Sequence, residues 1–412
     1  MQDFDVVIIG AGPAGGQCAR TLAAAGRKIL LVEQHKNFYQ NNYSSAAIPM
    51  EALKRYDLPD AVVGSYWRKL AIIATDSECN WQSTHLQGAV LDFAALKAFL
   101  AGATAANGGQ VWMGHRYLDH SQADAKIAVR LKPKAGDPIT VGTRVLVDAT
   151  GFARAVVYPE KKDKPAFLRG KGLEYLIAVE DGTYRKYADT LTFFMGHYWS
   201  PKGYSWIFPM VPNRLKVGTA RLDDTHRLIQ QIRPLKDYIH SIIQNHIKPE
   251  RYDIIDRHGS IIEYSSGLKD IYSRDDIIAI GDAVSTINFL GGEGIRHGMT
   301  GAEIACRHIQ YYLDGQSRDF RDYQSEMHRC FAGKWNLSEQ ISRRVYLEYS
   351  DRKISRSVSW LQYLSMTDII DILFHYRFEA YFRYLRSYLK FKLLGFLKAF
   401  KKLMPAQANV EN

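Results

Sequence analysis

Residues Met1 to Gly15 read MQDFDVVIIGAGPAG, and this stretch decides the fold. Val6 to Ile9 is a short β-branched run of the kind a buried parallel strand needs. Gly10, Gly12 and Gly15 follow at GxGxxG spacing, with Ala14 inside the loop, before a helical segment. Gly10 lets the chain turn tightly, Gly12 lets backbone approach a pyrophosphate, and Gly15 lets the helix pack closely on the strand. The helix N-terminus then turns its partial positive charge toward the phosphates. Glu33 closes the next apolar run, Lys28 to Val32, at a position where a carboxylate accepts from a ribose hydroxyl. The spacing predicts dinucleotide binding. The plainer alternative is a tight strand-to-helix turn without a ligand.

The chain has 412 residues, more than one hydrophobic core supports, so two intimately packed domains and an appendage are expected. At 46% hydrophobic and 24% charged residues, the composition is that of an ordinary globular protein. Cys18, Cys79, Cys306 and Cys330 form no CxxC pair or regular framework, which argues against a zinc site or a disulfide scaffold and fits a reducing cytoplasm. Acidic residues precede the short Val6 to Ile9 run, so no signal peptide is expected. No apolar run approaches the roughly 20 residues that span a bilayer. The net charge of +11 suits nucleic acid, anionic lipid or an acidic partner, and much of it sits near the C-terminus.

Met1 to Glu33 reads as strand, glycine turn, helix and strand, the first βαβ unit of a doubly wound sheet. Ser44 to Leu53 reads as a loop entering a helix, Thr75 to Gln82 as polar and irregular, and Val90 to Asn107 as a helix stopped by Gly108 and Gly109. Gln110 to Met113, Ile127 to Leu131 and Thr140 to Val147 have strand character. Tyr187 to Leu222 turns β-rich and aromatic, as for an antiparallel sheet inserted into the first domain. Ile277 to Gly301 repeats the order strand, glycine turn, helix, and the chain is helical in character from about Asp319.

Three glycine-bearing strand ends, Gly10 to Gly15, Asp148 to Gly151 and Gly281-Asp282, should meet at the carboxyl edge of one sheet, the usual ligand crevice of open α/β folds. Asp282 would sit near a ribitol or a phosphate-linked sugar. Gly291, Gly292, Glu293 and Gly294 open a helix whose dipole stabilises negative charge on a ring oxygen, as a reduced flavin requires. For Gly281-Asp282 alone the plainer reading is a helix cap.

These residues resemble the FAD-dependent oxidoreductases built like aromatic hydroxylases: Gly10 to Gly15, Glu33, VDATG at Val147 to Gly151, and GDA at Gly281 to Ala283. Within them the chain is similar to the geranylgeranyl reductases. Tyr204-Ser205-Trp206-Ile207-Phe208-Pro209 matches their YxWxFP motif, and Asn288, Leu290, Gly292, Glu293, Gly294, Ile295 and Met299 match their flavin loop. Phe289 stands where the family commonly has proline, and Tyr43 to Pro49 lacks the cysteine found beside the flavin in several members. The resemblance implies an α/β fold: a Rossmann-type FAD-binding domain with an inserted antiparallel β-sheet substrate domain and a helical C-terminal extension. The expected segments are 1–75, 101–185 and 271–330 for FAD, 76–100 and 186–270 for substrate, and 331–412 for the basic helical region.

The resemblance further implies FAD reduced by NADPH or a ferredoxin, followed by hydride transfer from flavin N5 to an alkene carbon while an acid protonates its neighbour. Tyr204, Glu293 and His297 are the candidate acids, although Glu293 would also serve as a helix cap and His297 as a packing histidine. An isoprenoid alkene has no charge to grip, so aromatic shape must position it, and Trp206 and Phe208 suit that task. A strand packed in the core is the plainer role for these aromatics.

Placed on a helix, Phe374, Phe378, Phe382, Leu385, Leu389, Leu393, Phe396, Phe400 and Leu403 form one stripe, with Arg377, Arg383, Arg386, Lys390, Lys398, Lys401 and Lys402 largely opposite. Such a helix over 374–403 lies on anionic lipid or packs its stripe on the fold. Without a recognisable module, nucleic acid is not an expected partner. Competing functions are a flavin monooxygenase, a lycopene-cyclase-like isomerase using reduced FAD, and a non-catalytic flavoprotein.

Overall fold

The computed structural model describes residues 1–42, 44–123, 126–158, 160–223, 232–379 and 382. Its first sheet has eight strands. The path runs Ser273–Arg274, Ile277–Ala279, Ile139–Asp148, Gln2–Ile9, Ile29–Glu33, Gln110–Met113, and an antiparallel pair, His115–Ala123 and Lys126–Pro133, extends from Ile139–Asp148. Val6, Val7, Ile8 and Leu30 are fully buried, as β-branched and aliphatic runs must be when helices cover both faces of a parallel sheet. The register does the decisive work. Ile9 pairs with both Val32 and Asp148, and Asp148 pairs with Ala279, so four parallel strands run level to one edge and the three glycine-bearing loops emerge there side by side.

The helix Pro13–Ala24 leaves the first loop and packs beside Ile295–Leu313 and Phe93–Ala106. Glycine is required at two positions here. A Cβ on Gly15 would lie 1.9 Å from the Gly10 carbonyl oxygen, and Gly10 itself has φ +106° with the Ala149 carbonyl oxygen 2.4 Å from where its Cβ would stand. The helix Phe93–Ala106 thus packs on the helix that follows the glycine loop, whereas residues 76–100 were expected to join the substrate domain.

The second sheet has seven strands in the order Tyr252–Ser265, Phe167–Val179, Arg214–Leu222, Gly203–Met210, Thr190–Met195, Lys69–Ile73, Glu78–Gln82. All neighbours are antiparallel except Thr190–Met195 with Lys69–Ile73. Lys69–Ile73 and Phe167–Val179 fall in this sheet rather than with the flanking nucleotide-binding segments. Glu78–Gln82, in the stretch expected to be irregular, is its edge strand. Its polar alternation gave little strand signal because one face of an edge strand stays in water. One face of the sheet buries Phe194, Ile207, Leu215 and Val217 against the helix Leu235–Ile242. The opposite face carries the aromatic motif. A third, three-stranded sheet joins Ala47–Pro49, Gly88–Leu91 and Val63–Trp67.

After Ile295–Leu313 the chain continues through Arg321–Arg343, a π turn Arg344–Glu348, Asp351–Leu361 and Met366–Leu373. Ser365 and Asp368 cap the last of these reciprocally. The amphipathic helix expected to run unbroken from Phe374 is not formed at its start. Helix Met366–Leu373 ends there, Tyr376 adopts φ +53°, and Phe374 and Phe378 are buried in the protein rather than laid along an exposed stripe. Residues 383–403 of that stripe lie outside the described residues. No helix among the described residues is long and apolar enough to cross a membrane.

Candidate active site

At the level edge of the first sheet the expected residues come together. The backbone N–H of Ala11 donates to Glu33 Oε2 at 3.1 Å, and Glu33 Oε1 accepts from the His35 N–H at 2.9 Å, so this carboxylate pins the glycine loop. Gly12 caps the helix Pro13–Ala24 without any side-chain bond to it, and nothing lies within 4 Å of where its Cβ would stand. Free N–H groups at a helix start beside open space form a cradle for a phosphate. Ala14 faces Gly281, whose φ is +64° and whose added Cβ would stand 2.8 Å from the Ala14 methyl. Gly151, also left-handed at φ +65°, has open space around it. Burial raises the Asp282 carboxyl above its usual range, against the pull of Arg154.

Asp148, expected to touch cofactor, does something else. It is wholly buried, with Oδ1 accepting from the Thr150 N–H and hydroxyl and Oδ2 from the N–H groups of Val156 and Val157. Its oxygens are spent on folding the loop that follows the strand, leaving none for a ligand. That loop is locked from beneath by Arg154, fully buried and bonded to Asp270 at 3.0 Å and to the Ser285 hydroxyl at 3.1 Å. Arg154 carries no motif signal, because Asp270 and Ser285 lie more than 100 residues along the chain.

The glycine loop Leu290 to Gly294 roofs a cavity of about 460 Å³. Tyr204, Trp206, Phe208 and Phe193 form its sheet wall, Ser44 to Ala47 another, and the stretches 337–349, 354–361 and 372–378 close it. The strand period explains the aromatic wall. Tyr204, Trp206 and Phe208 alternate onto one face and pair with Ala220, Gly218 and Lys216. Small partners make room: a Cβ on Gly218 would fall 2.2 Å from the Trp206 indole. Trp206 Nε1 donates to Glu174 Oε2 at 2.7 Å, and His258 Nε2 contacts Glu174 Oε1 at 3.1 Å. Burial opposes protonation of His258, but Glu174 and Asp256 outweigh it and raise the imidazole. Lys216 is buried and donates to the carbonyls of Ser44, Ser45 and Leu91, fixing the loop that lacks the cysteine. Burial lowers its ammonium. Lys216 alternates with Gly218 and Ala220 on the face that carries the aromatic motif.

The three candidate acids are placed differently. Tyr204 lines the cavity, yet its hydroxyl donates to the Gly291 carbonyl at 2.7 Å, and burial pushes the phenol up. Glu293 lines it as a carboxylate. Burial works to raise it, but His297 and the Arg296 guanidinium, 2.8 Å away, win and hold it down at about 2. This charge state is wrong for a proton donor. His297 is not on the cavity wall. It lies behind Glu293, 3.2 Å from Oε2, packed edge-on to Trp335, with burial lowering it more than Glu293 raises it. Gly292, Gly294 and Ile295, expected to hold cofactor, line the cavity. The site also contains what the motifs did not show. Arg296 reaches the Phe374 carbonyl, the Tyr376 hydroxyl donates to Glu293 at 3.3 Å, and the Tyr346 hydroxyl donates to the Leu290 carbonyl at 2.6 Å. The segment after residue 331 is therefore built into the site.

A nucleotide edge of three level strand loops, joined through a glycine loop to an apolar cavity, defines an FAD-dependent oxidoreductase. The chain belongs to the FAD binding domain family, whose model matches residues 3–332. It is 28% identical over 344 residues to the digeranylgeranylglycerophospholipid reductase of Haloferax volcanii, covering 77% of this chain and 78% of that one. A geranylgeranyl bacteriochlorophyll reductase-like protein from Thermoplasma acidophilum shares the fold with a TM-score of 0.81 at 20% identity, over 94% of this chain and 98% of that one. A flavin-dependent brominase shares it with a TM-score of 0.69 at 16% identity, over 95% and 100%. The residues present fit FAD: the open space over Gly12, the start of Pro13–Ala24 without a side-chain cap and the loop pinned by Glu33 would accept the nucleotide half, and the Leu290–Gly294 loop lines the cavity beside it.

Proposed function

We propose that this chain reduces carbon–carbon double bonds of isoprenoid chains. One observation carries the reading: the cavity under the glycine loop is walled by aromatic and aliphatic side chains, and its volume of about 460 Å³ falls in the range of about 300–1,000 Å³ typical of sites that enclose a small molecule. The similarity to an isoprenoid lipid reductase supports it. Gly10, Gly12, Ala14, Gly15, Glu33, Gly151, Gly281 and Asp282 would hold the nucleotide portion of FAD, and Gly292, Gly294 and Ile295 the ring portion. When bound, FAD supplies the hydride, itself reduced by NADPH or a ferredoxin.

The protein's part is to hold a flexible, uncharged chain still. Trp206 is fixed by Glu174 and floored by Gly218, so its indole offers a rigid face. Phe193 and Phe208, with ring centroids 5.3 Å apart and crossed at 74°, continue that face. Rigid aromatic walls orient an alkene at little entropic cost. Glu293 and Arg296 hold a buried, neutralised pair beside the loop rather than delivering a proton. Tyr204 fixes the loop to the sheet.

Isoprenoid substrates reside in membranes. Phe382, an exposed lining residue, and exposed Tyr363 beside Leu361 would contact the lipid surface. The test is anaerobic photoreduction of the purified flavoprotein followed by geranylgeranyl lipids and diphosphates. Flavin reoxidation with a gain of about 2 mass units per double bond is the expected result. Hydroxylated product formed only with oxygen, a product of unchanged mass, or no reoxidation across both substrate types would overturn the proposal.

A further inference from the structure

Among the residues lining the cavity, two carry charge, Glu293 and Arg344. Glu293 is neutralised by Arg296 at 2.8 Å. Arg344, in the π turn Arg344–Glu348, makes no ion pair or side-chain hydrogen bond among the described residues and is exposed. Its position is not accidental to the helix. Leu337, Gln340, Ile341, Arg344 and Val345 repeat at three- and four-residue spacing and turn one stripe toward the cavity. Leu337, Ile341 and Val345 are its apolar part, while Gln340 and Arg344 are neighbours at i and i+4 and are both exposed. The other exposed lining residues are Gly292, in the glycine loop, and Phe382. The cavity thus has a mostly apolar lining, and its solvent-exposed part includes a guanidinium with an amide one helical turn away.

We propose that Arg344, assisted by Gln340, binds a phosphate group at the head of the substrate and so sets how far the apolar chain enters. This rests on the isoprenoid-reductase reading and adds the residue that selects the headgroup. A guanidinium fork matches a phosphate with two parallel hydrogen bonds, and Gln340 adds a neutral donor. Because neither terpene chain nor aromatic wall has directional bonds, a chain gripped only by shape slides along its own length. A charged anchor at the mouth fixes which double bond stands below the glycine loop. The phosphate belongs either to a prenyl phosphate or to a prenyl glycerophospholipid, both of which present anionic phosphate oxygens to a guanidinium.

The experiment uses the FAD-loaded full chain, with geranylgeranyl phosphate, a digeranylgeranyl glycerophosphate in detergent micelles, and uncharged geranylgeraniol as probes. Binding is followed by quenching of tryptophan fluorescence, which needs no turnover, and KM and kcat are measured where reduction occurs. Arg344→Ala should weaken at least one phosphate probe about five- to tenfold while leaving geranylgeraniol binding unchanged. Arg344→Lys should recover part of the loss, and 1 M salt should narrow the gap in the wild type. KM should carry the change, with kcat within about twofold. Whichever phosphate probe responds identifies the headgroup source. Equal weakening of charged and uncharged probes, or no change in either phosphate, would overturn the proposal. If the wild type binds phosphate over alcohol but reduces neither, the reductase reading fails while the anchor stands.

Discussion

The hydroxyl of Tyr204 donates to the carbonyl oxygen of Gly291 at 2.7 Å, joining the aromatic strand of one sheet to the glycine loop that opens a helix of the other layer. Gly292, at φ +64°, packs so closely that an added Cβ would stand 2.8 Å from the same hydroxyl. The motif tyrosine therefore has a mechanical task. Tyr204→Phe should cost about 1–2 kcal/mol by leaving a carbonyl without its donor. Turnover should fall modestly, with the pH profile unchanged between pH 6 and 9, since burial keeps the phenol protonated throughout. A loss of about a hundredfold or more with an unaltered melting temperature would instead make the phenol the proton donor.

Gly12 and Gly15 should separate cofactor binding from folding. Gly12 has ordinary extended backbone, φ −69° and ψ 179°, and free space above it. Gly12→Ala should leave the melting temperature of FAD-free protein unchanged and weaken FAD affinity. Gly15→Ala places a methyl 1.9 Å from the Gly10 oxygen, so it should destabilise the FAD-free protein by about 1–3 kcal/mol or more. Thermal melts with and without FAD, alongside FAD titration, check both. Wild-type FAD affinity in Gly12→Ala would mean that no pyrophosphate approaches there.

Glu293 should reveal itself through pH. Its carboxyl falls from an ordinary 4.5 to about 2, with burial outweighed by His297 and Arg296. The corresponding stabilisation, about 3 kcal/mol as an upper bound, is present above its unfolded value and lost as pH falls toward 2. Glu293→Gln should therefore melt below wild type at pH 7, and the gap should begin to narrow below pH 4.5 and close toward pH 2. A gap independent of pH between 7 and 3 would show that the carboxylate is not held by these cations.

The dinucleotide edge was legible because its physics is local. GxGxxG at Gly10 to Gly15 specifies a turn and a close helix, and the apolar runs ending at Ile9, Val147 and Ile280 specify buried strands. The YxWxFP motif announced an aromatic face through its two-residue period. What differed from expectation depended on partners outside the motifs. Asp148 looked like a ligand for cofactor, yet the N–H groups of Val156 and Val157 consume its oxygens. His297 looked available one helical turn beyond the loop, yet Trp335 and Tyr376 enclose it. Lys216 and Glu174 gave no motif signal, because a clamp made to backbone carbonyls or to one indole has no fixed spacing.

The amino-acid sequence by itself determined the glycine loop, the parallel strands that carry it and the aromatic strand, because each is dictated by neighbours within a few residues. Only the tertiary structure decided that Phe374 and Phe378 turn inward instead of lying along an exposed stripe. Phe374 stacks on Trp67 with ring centroids 5.5 Å apart, and Arg296 holds its carbonyl. Periodicity shows that a face is apolar; what covers it depends on chain segments some 80 to 300 residues away. The same holds for Arg344, whose charge is written in the sequence but whose place at the mouth of an apolar cavity exists only once the helices have closed over the sheet.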